Sequence, residues 1–257
     1  MRTSLSLCTW NIEFGKKITE IIKLMATDSH FQNLDFLVLQ EASIHNGTED
    51  AKIIADILGP EYDYFQVTAH KLRGCVQANA FIWNKNALTV KGKEAIPLPQ
   101  WKETSGLPRR EKVFLRLLPK QLRNSLVVEA TFKKFSIRIY AAHLDVLGNM
   151  RKTGQFTAIL KDSQQRDPVD LAIILGDMNT YRLRKQKFGK VLAQLATEQG
   201  FIDVTSALPF TFFLRRLKIR QKLDAIFVKT VLPIDFKSWT LDVSGSDHLP
   251  VFARIDF

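Results

Sequence analysis

Apolar runs that stop abruptly at an acid, an amide or a histidine recur along the chain. The clearest is residues 171–179, LAIILGDMN, in which five apolar residues give way to Gly176, Asp177 and Asn179. A continuous apolar run bounded by a turn residue predicts a strand buried on both faces, and Gly176 allows a turn or the close approach of a ligand. Residues 4–12, 35–41, 62–67, 78–83, 125–131, 135–143, 223–229 and 249–257 read as further strands. A polar loop with Lys71, Arg73 and Gly74 joins the third and fourth of these. Helical spacing appears over 16–30 (Ile18, Ile21, Ile22, Met25), 150–165 (Phe156, Ile159, Leu160) and 188–198 (Phe188, Val191, Leu192, Leu195). Thr48 is placed to cap another helix, with Glu49 and Asp50 in its first turn, Ile53, Ile54, Ile57 and Leu58 buried, and Gly59-Pro60 ending it. Prolines at 97, 99, 108 and 119 predict a long surface loop over 92–124.

Strands alternating with helices over 257 residues imply an α/β chain of one or two domains. With 46% hydrophobic residues and 18 Phe it can bury a large core. No apolar stretch approaches the ~20 residues of a membrane span, and the first residues lack the features of a signal peptide. Cys8 and Cys75 have no metal-type spacing, and a reduced, cytoplasmic protein is the expectation. The formal charge of +11 is regional. Ten Lys/Arg face three Glu between Lys102 and Arg138, and ten face Glu198 and Asp203 between Tyr181 and Lys222, so the remainder is net acidic. Such concentration suits an anionic partner.

Six strand ends carry Asn11, Glu41, His143, Asp177 with Asn179, Asp224, and Asp247-His248. Strands packed into one or two sheets would bring these ends together. Carboxylates and amides without a His/Cys cluster favour a hard cation such as Mg²⁺ or Mn²⁺. A histidine beside a carboxylate keeps one tautomer and favours its charged form. Together they suit metal-assisted attack of water on a phosphate ester. Walker, nucleophile-elbow, HExxH and dinucleotide fingerprints are all missing from the chain.

The segments Thr9-Trp10-Asn11, Leu39-Gln40-Glu41, Ala142-His143-Leu144, Gly176-Asp177-Met178-Asn179, Leu223-Asp224 and Ser246-Asp247-His248-Leu249-Pro250-Val251 follow one another in a familiar order. In that order the chain resembles the endonuclease/exonuclease/phosphatase superfamily, the deoxyribonuclease-I-like phosphoesterases, over residues 9–251. The resemblance implies one domain over 1–257: a four-layer α-β-β-α sandwich, two mixed β-sheets packed face to face and flanked by helices. It implies Glu41 as principal metal ligand, with Asn11 and Asp247 assisting. It casts Asp177 as the group acting on the attacking water and Asn179 with His143 as the phosphate-contacting pair. His248 becomes the second catalytic histidine, oriented by Asp224. Asn79, in Gln77-Ala78-Asn79-Ala80-Phe81, matches a further family segment in which Ala78 replaces a glycine. Arg151 and Gln155 match a helix motif read as structural support.

The substrate is open. The clusters at 182–187 and 215–222, with Phe210, Phe212 and Phe213, should border the cleft, making Arg182, Arg184, Arg215, Arg216 and Arg220 candidate substrate contacts. Cations with adjacent aromatics suit a nucleic-acid backbone and unstacked bases. They also suit an anionic membrane surface. A nuclease or DNA-end-processing phosphodiesterase leads. A phospholipid or sphingomyelin phosphodiesterase, an inositol-type phosphatase and an inactive nucleic-acid-binding module follow, and a monomer is expected.

Overall fold

The apolar runs are buried on both faces because each lies in one of two six-stranded sheets with apolar material on either side. The computed structural model describes residues 4–72, 74–100, 122–146, 148–181 and 188–257. In chain order its strands begin with β1 (Ser4–Asn11), β2 (Phe36–Ala42), β3 (Ile44–His45), β4 (Thr48–Glu49), β5 (Tyr62–Leu72) and β6 (Cys75–Asn84). They continue with β7 (Leu88–Pro97), β8 (Asn124–Phe132), β9 (Phe135–His143), β10 (Leu171–Asp177) and β11 (Ile202–Asp203). The last are β12 (Phe212–Leu214), β13 (Ile219–Gln221), β14 (Asp224–Thr230), β15 (Asp235–Thr240) and β16 (Val251–Asp256). The α-helices are α1 (Ile18–Thr27), α2 (Ser29–Gln32), α3 (Asp50–Leu58), α4 (Asn149–Gln165) and α5 (Phe188–Glu198).

One sheet has the order β15-β16-β1-β2-β6-β5 and the other β11-β14-β10-β9-β8-β7. Both are mixed, with β1 parallel to β2 and β9 parallel to β10. Alternation along each strand builds the layers. Phe36 and Val38 of β2 point between the sheets, where they meet Leu126, Ile139, Ile173 and Ile226 of the second sheet. Leu37 and Leu39 point outward onto Ile21, Met25, Phe31 and Ile54 of the first helical layer. On the far side, Tyr140, Ile174 and Phe227 pack against Phe156, Ile159 and Leu192 of α4 and α5. The result is the expected four-layer α-β-β-α sandwich.

Five local readings change. Residues 92–97 are not loop: they belong to β7, which pairs with β8 as far as Pro97 and Asn124. A proline survives there because β7 is an edge strand and Pro97 is its last residue. Residues 98–100 and 122–123 are irregular, as expected of a loop, Asn124 opens β8, and 101–121 lie outside the described residues. Lys71 lies in β5, not in the loop, because the β5–β6 hairpin runs on to Leu72 and Cys75. The 16–30 helix begins only at Ile18 and is interrupted at Asp28, whose backbone is extended and whose side-chain Oδ1 caps α2 by accepting from His30 N–H at 2.9 Å. Thr48 sits in β4, and α3 buries Ala51, Ile54 and Ala55 while Ile57 stays exposed. Val191 of α5 is likewise exposed, with Leu192 and Ala196 facing inward. The edge strand β15, DFKSWT, carries no clear apolar run, since polar residues are interspersed along it and its residues are exposed or only partly buried.

Candidate active site

Strand register brings three of the polar ends into one row. Asp177 is paired with His143 on one side and with Asp224 on the other. Gly176 makes the row possible: at φ 141° it approaches β9 so closely that a Cβ would collide with the Ala142 carbonyl. The close approach is therefore to the neighbouring strand. The first sheet supplies Asn11 from the end of β1 and Glu41 from the end of β2. The 246–248 turn is stitched to β1: Ser246 Oγ donates to Asn11 O at 2.7 Å, and Trp10 Nε1 donates to His248 O at 2.9 Å.

The side chains converge. Asp177 accepts from Asn11 Nδ2 at 3.0 Å through Oδ2 and from Asn179 N–H at 2.8 Å through Oδ1. His143 Nε2 lies 3.7 Å from Asp177 and 3.8 Å from Glu41. His248 Nε2 lies 3.7 Å from Asp177, and its Nδ1 is 2.9 Å from Asp224. Asn179 uses one amide hydrogen on Leu144 O at 2.9 Å. Asp247 adds its charge to Glu41.

Burial and crowding tune these groups. Desolvation raises Glu41 to about 7, with Asp177 and Asp247 adding to the effect and Arg123 and His248 opposing it. Desolvation likewise raises Asp177 to about 6, with His248 pulling against it. The histidines diverge. Burial disfavours a charge on His248, but Asp224 and Asp177 outweigh it and push the ring up to about 10. Burial, then Arg123, holds His143 well below its ordinary range. Two rings within reach of one carboxylate are thus tuned in opposite directions, His248 toward its charged form and His143 toward its neutral one.

Asp177, Asp224 and His248 are close enough to hold a metal ion. Their own hydrogen bonding argues for a different use, because Nδ1 of His248 is already held by Asp224 and a charged ring repels a cation. Asn11, Glu41 and Asp247, the set that the family resemblance implies, offer oxygen donors, and the partly buried Glu41 accepts from Gln77 Nε2 through Oε1 at 3.3 Å. A carboxylate that burial pushes toward neutrality is the kind a divalent cation would hold ionised.

Other assigned residues stand apart from this cluster. Asn79 is buried and donates to Asn124 O at 2.9 Å and Asn124 Oδ1 at 2.8 Å. Arg215, Arg216 and Arg220 lie on a two-stranded ribbon, β12–β13, that joins neither large sheet. Phe212 anchors it against the His248 ring at 5.1 Å, and Phe213 N–H donates to Asp247 O at 2.8 Å. Arg220 lies over Phe210 and Phe213 at 4.8 Å each, while Arg215 lies over Phe213 and pairs with Asp242. Arg182 and Arg184 lie outside the described residues.

Several site groups escaped the sequence reading. Arg123, almost fully buried, places Nη1 3.1 and 3.2 Å from the two ring nitrogens of His143 and reaches Asp145 at 3.4 Å. Gln155, read as support, grips Asp145 through its N–H at 2.9 Å and its carboxylate at 3.1 Å. Buried Lys152 donates to Asn179 O at 2.6 Å, and Tyr181 packs edge-on to Phe212. Lone cations beside prolines or on a helix carry no spacing signal.

No protein-family model and no curated protein matches the chain. Solved structures do. An endonuclease/exonuclease/phosphatase family protein from Bacteroides thetaiotaomicron superposes with a TM-score of 0.71 at 17% identity, covering 100% of this chain and 99% of that one. D. rerio TDP2 complexed with single strand DNA product gives 0.73 at 16% identity, with 99% and 100% covered. A mannosyl-6-phosphatase from Bacteroides thetaiotaomicron gives 0.68 at 15% identity, with 98% and 100% covered. Identities this low speak for the fold, and the fold is that of the endonuclease/exonuclease/phosphatase proteins.

Proposed function

We propose that the chain is a divalent-cation-dependent phosphodiesterase acting on nucleic acid, as a nuclease or a DNA-end-processing enzyme. The observation that carries this reading is the convergence of Asp177 with Asn11, His143 and the His248–Asp224 pair at one edge of both sheets. Asn11, Glu41 and Asp247 would hold Mg²⁺ or Mn²⁺, which would polarise the scissile phosphate.

The chain's own groups supply the rest. Asp177, with a pKa of about 6, is ionised at neutral pH yet basic enough to take a proton from the attacking water. Its two hydrogen bonds, to Asn11 and Asn179, fix its orientation. His248, charged and held by Asp224, stabilises negative charge growing on the phosphate. Asn179 keeps a second amide hydrogen for a phosphate oxygen. Burial, reinforced by the Arg123 guanidinium, keeps His143 neutral, so that ring acts as a hydrogen-bond donor at the phosphate. Asp224 orients. Asn79 is a more distant contributor, buttressing Asn124. The β12–β13 ribbon, together with Arg182 and Arg184, would track the anionic strand.

A second reading has a specific observation behind it. Leu217 is 62% exposed and Ile219 40% exposed, interleaved with Arg216, Lys218 and Arg220 on the ribbon. Aliphatic residues among cations also suit an anionic lipid interface. The test is a hydrolysis panel of single- and double-stranded DNA, RNA, sphingomyelin and sugar or inositol phosphates, each with Mg²⁺, Mn²⁺ or EDTA. Turnover of DNA that EDTA abolishes is the expected result. Cation-independent turnover, or none on any phosphodiester, would refute the proposal.

A further inference from the structure

Glu41 stands on unusual backbone. Its φ is 52°, in the left-handed region, at an irregularity where β2 slips register against β6 between Leu39 and Ala42. A non-glycine residue stays there only if its surroundings hold it.

The holding contacts lie two residues on, at Ser43, which is fully buried. Its N–H donates to Asp50 Oδ2 at 2.7 Å, and its carbonyl accepts from Asp50 N–H at 3.1 Å and from Gln66 Nε2 at 2.9 Å. Gln66 is itself fixed, accepting from Ala51 N–H at 3.1 Å. Both peptide groups of Ser43 are therefore gripped by side chains from the start of α3 and from β5. Asp50 also meets the segment that follows Asn11. A side chain on Gly15 would run into Asp50 Oδ2, and His45 Nε2 lies 3.1 Å from Phe14 O and 3.4 Å from Asp50 Oδ1. A fully buried carboxylate so joins the chain after Asn11 to the chain after Glu41 while touching neither side chain.

We propose that Asp50, with Gln66, is a positioning residue that holds the left-handed turn at Glu41 and thereby sets the site's affinity for a divalent cation. The inference rests on Glu41 being a cation ligand. Hydrogen-bond partners behind ligating groups typically govern affinity by about 10- to 100-fold.

The test is Mn²⁺ binding to the full chain, read by electron paramagnetic resonance without substrate, for the parent protein and for Glu41→Gln, Asp50→Ala, Asp50→Asn and Gln66→Met. Asp50→Ala is expected to raise the dissociation constant by about 10-fold or more. Asp50→Asn keeps an acceptor for Ser43 N–H and is expected to rescue most of the loss, which a general loss of stability would not permit. If Asp50→Ala does not fold, Gln66→Met decides, with a weaker rise expected. Parent binding that Glu41→Gln abolishes, but that Asp50→Ala and Gln66→Met leave intact, would overturn the inference alone. A parent protein that binds no Mn²⁺ would overturn the cation reading and this inference with it.

Discussion

His248 and Asp224 form a buried pair, Nδ1 to Oδ2 at 2.9 Å, at the point where β14 meets the turn before β16. The bond fixes which nitrogen faces Asp177 and supports the charge that lifts the ring to about 10. Asp224→Asn should return His248 toward the ordinary value of ~6.5 and leave it largely neutral at pH 8. Hydrolysis should fall about 100-fold or more, since loss of a positioned acid or base costs at least that much. A proton NMR titration of the ring checks the cause. A ring that still titrates near 10 in the variant would refute the pairing as the source.

The pair was legible from the sequence as two strand ends, whereas the buried charges Arg123 and Asp50 were not. Apolar runs terminate visibly, so Asn11, Glu41, His143, Asp177, Asp224 and His248 all stand out in the sequence as polar residues at the edge of an apolar run. Which strands adjoin depends on pairing across long sequence separations, and here the motif order supplied it. Arg123 and Asp50 lie outside that logic. Each is a charge buried by a partner that no apolar pattern marks, His143 for Arg123 and the nearby Ser43 backbone for Asp50. Pro97 misled in the opposite direction, since a proline at the end of an edge strand costs the ladder nothing.

Glu41 should make the cation-free protein sensitive to pH. Its folded pKa of about 7 exceeds the ordinary 4.5, so the folded chain holds a proton that the unfolded chain has lost between those values. Stability from this group therefore falls as pH rises from 4.5 to 7, by roughly 3 kcal/mol at about 1.4 kcal/mol per pKa unit. Denaturant melts of the parent and Glu41→Gln in EDTA should diverge over that window, with the parent losing ground. Mg²⁺ at ~100 times its dissociation constant should restore about 2.7 kcal/mol above pH 7, and to the parent only. Parallel profiles would show that Glu41 is not the group under strain.

Arg123 compensates Asp145 while facing His143. Arg123→Met should leave the Asp145 carboxylate without its guanidinium and cost roughly 3 kcal/mol, the usual scale for breaking a buried pair. It should also raise the pKa of His143, because the guanidinium is the second cause, after burial, of that ring's depression. Ring titration by NMR, combined with a urea melt, separates the two effects. An unchanged His143 titration would restrict Arg123 to a structural role.

The β12–β13 ribbon distinguishes the two substrate readings because its cations are not equivalent. Arg215 is occupied by Asp242, and Arg220 is spread over Phe210 and Phe213. Arg216 and Lys218 are exposed at the turn, and under the nucleic-acid proposal they are the ones that would meet phosphates. Arg216→Gln with Lys218→Gln should lower the slope of log affinity against log salt on single-stranded DNA by about 1.4, at ~0.7 per phosphate contact. Arg215→Gln should change that slope far less. Leu217→Asp tests the lipid reading, for it adds a charge where an aliphatic tip would enter an anionic bilayer. DNA affinity should fall only slightly in this variant, and binding to phosphatidylserine vesicles should be negligible in every form. Strong vesicle binding by the parent protein, lost in Leu217→Asp, with a salt slope on DNA indifferent to Arg216 and Lys218, would move the substrate from nucleic acid to lipid while leaving the chemistry at Asp177 intact.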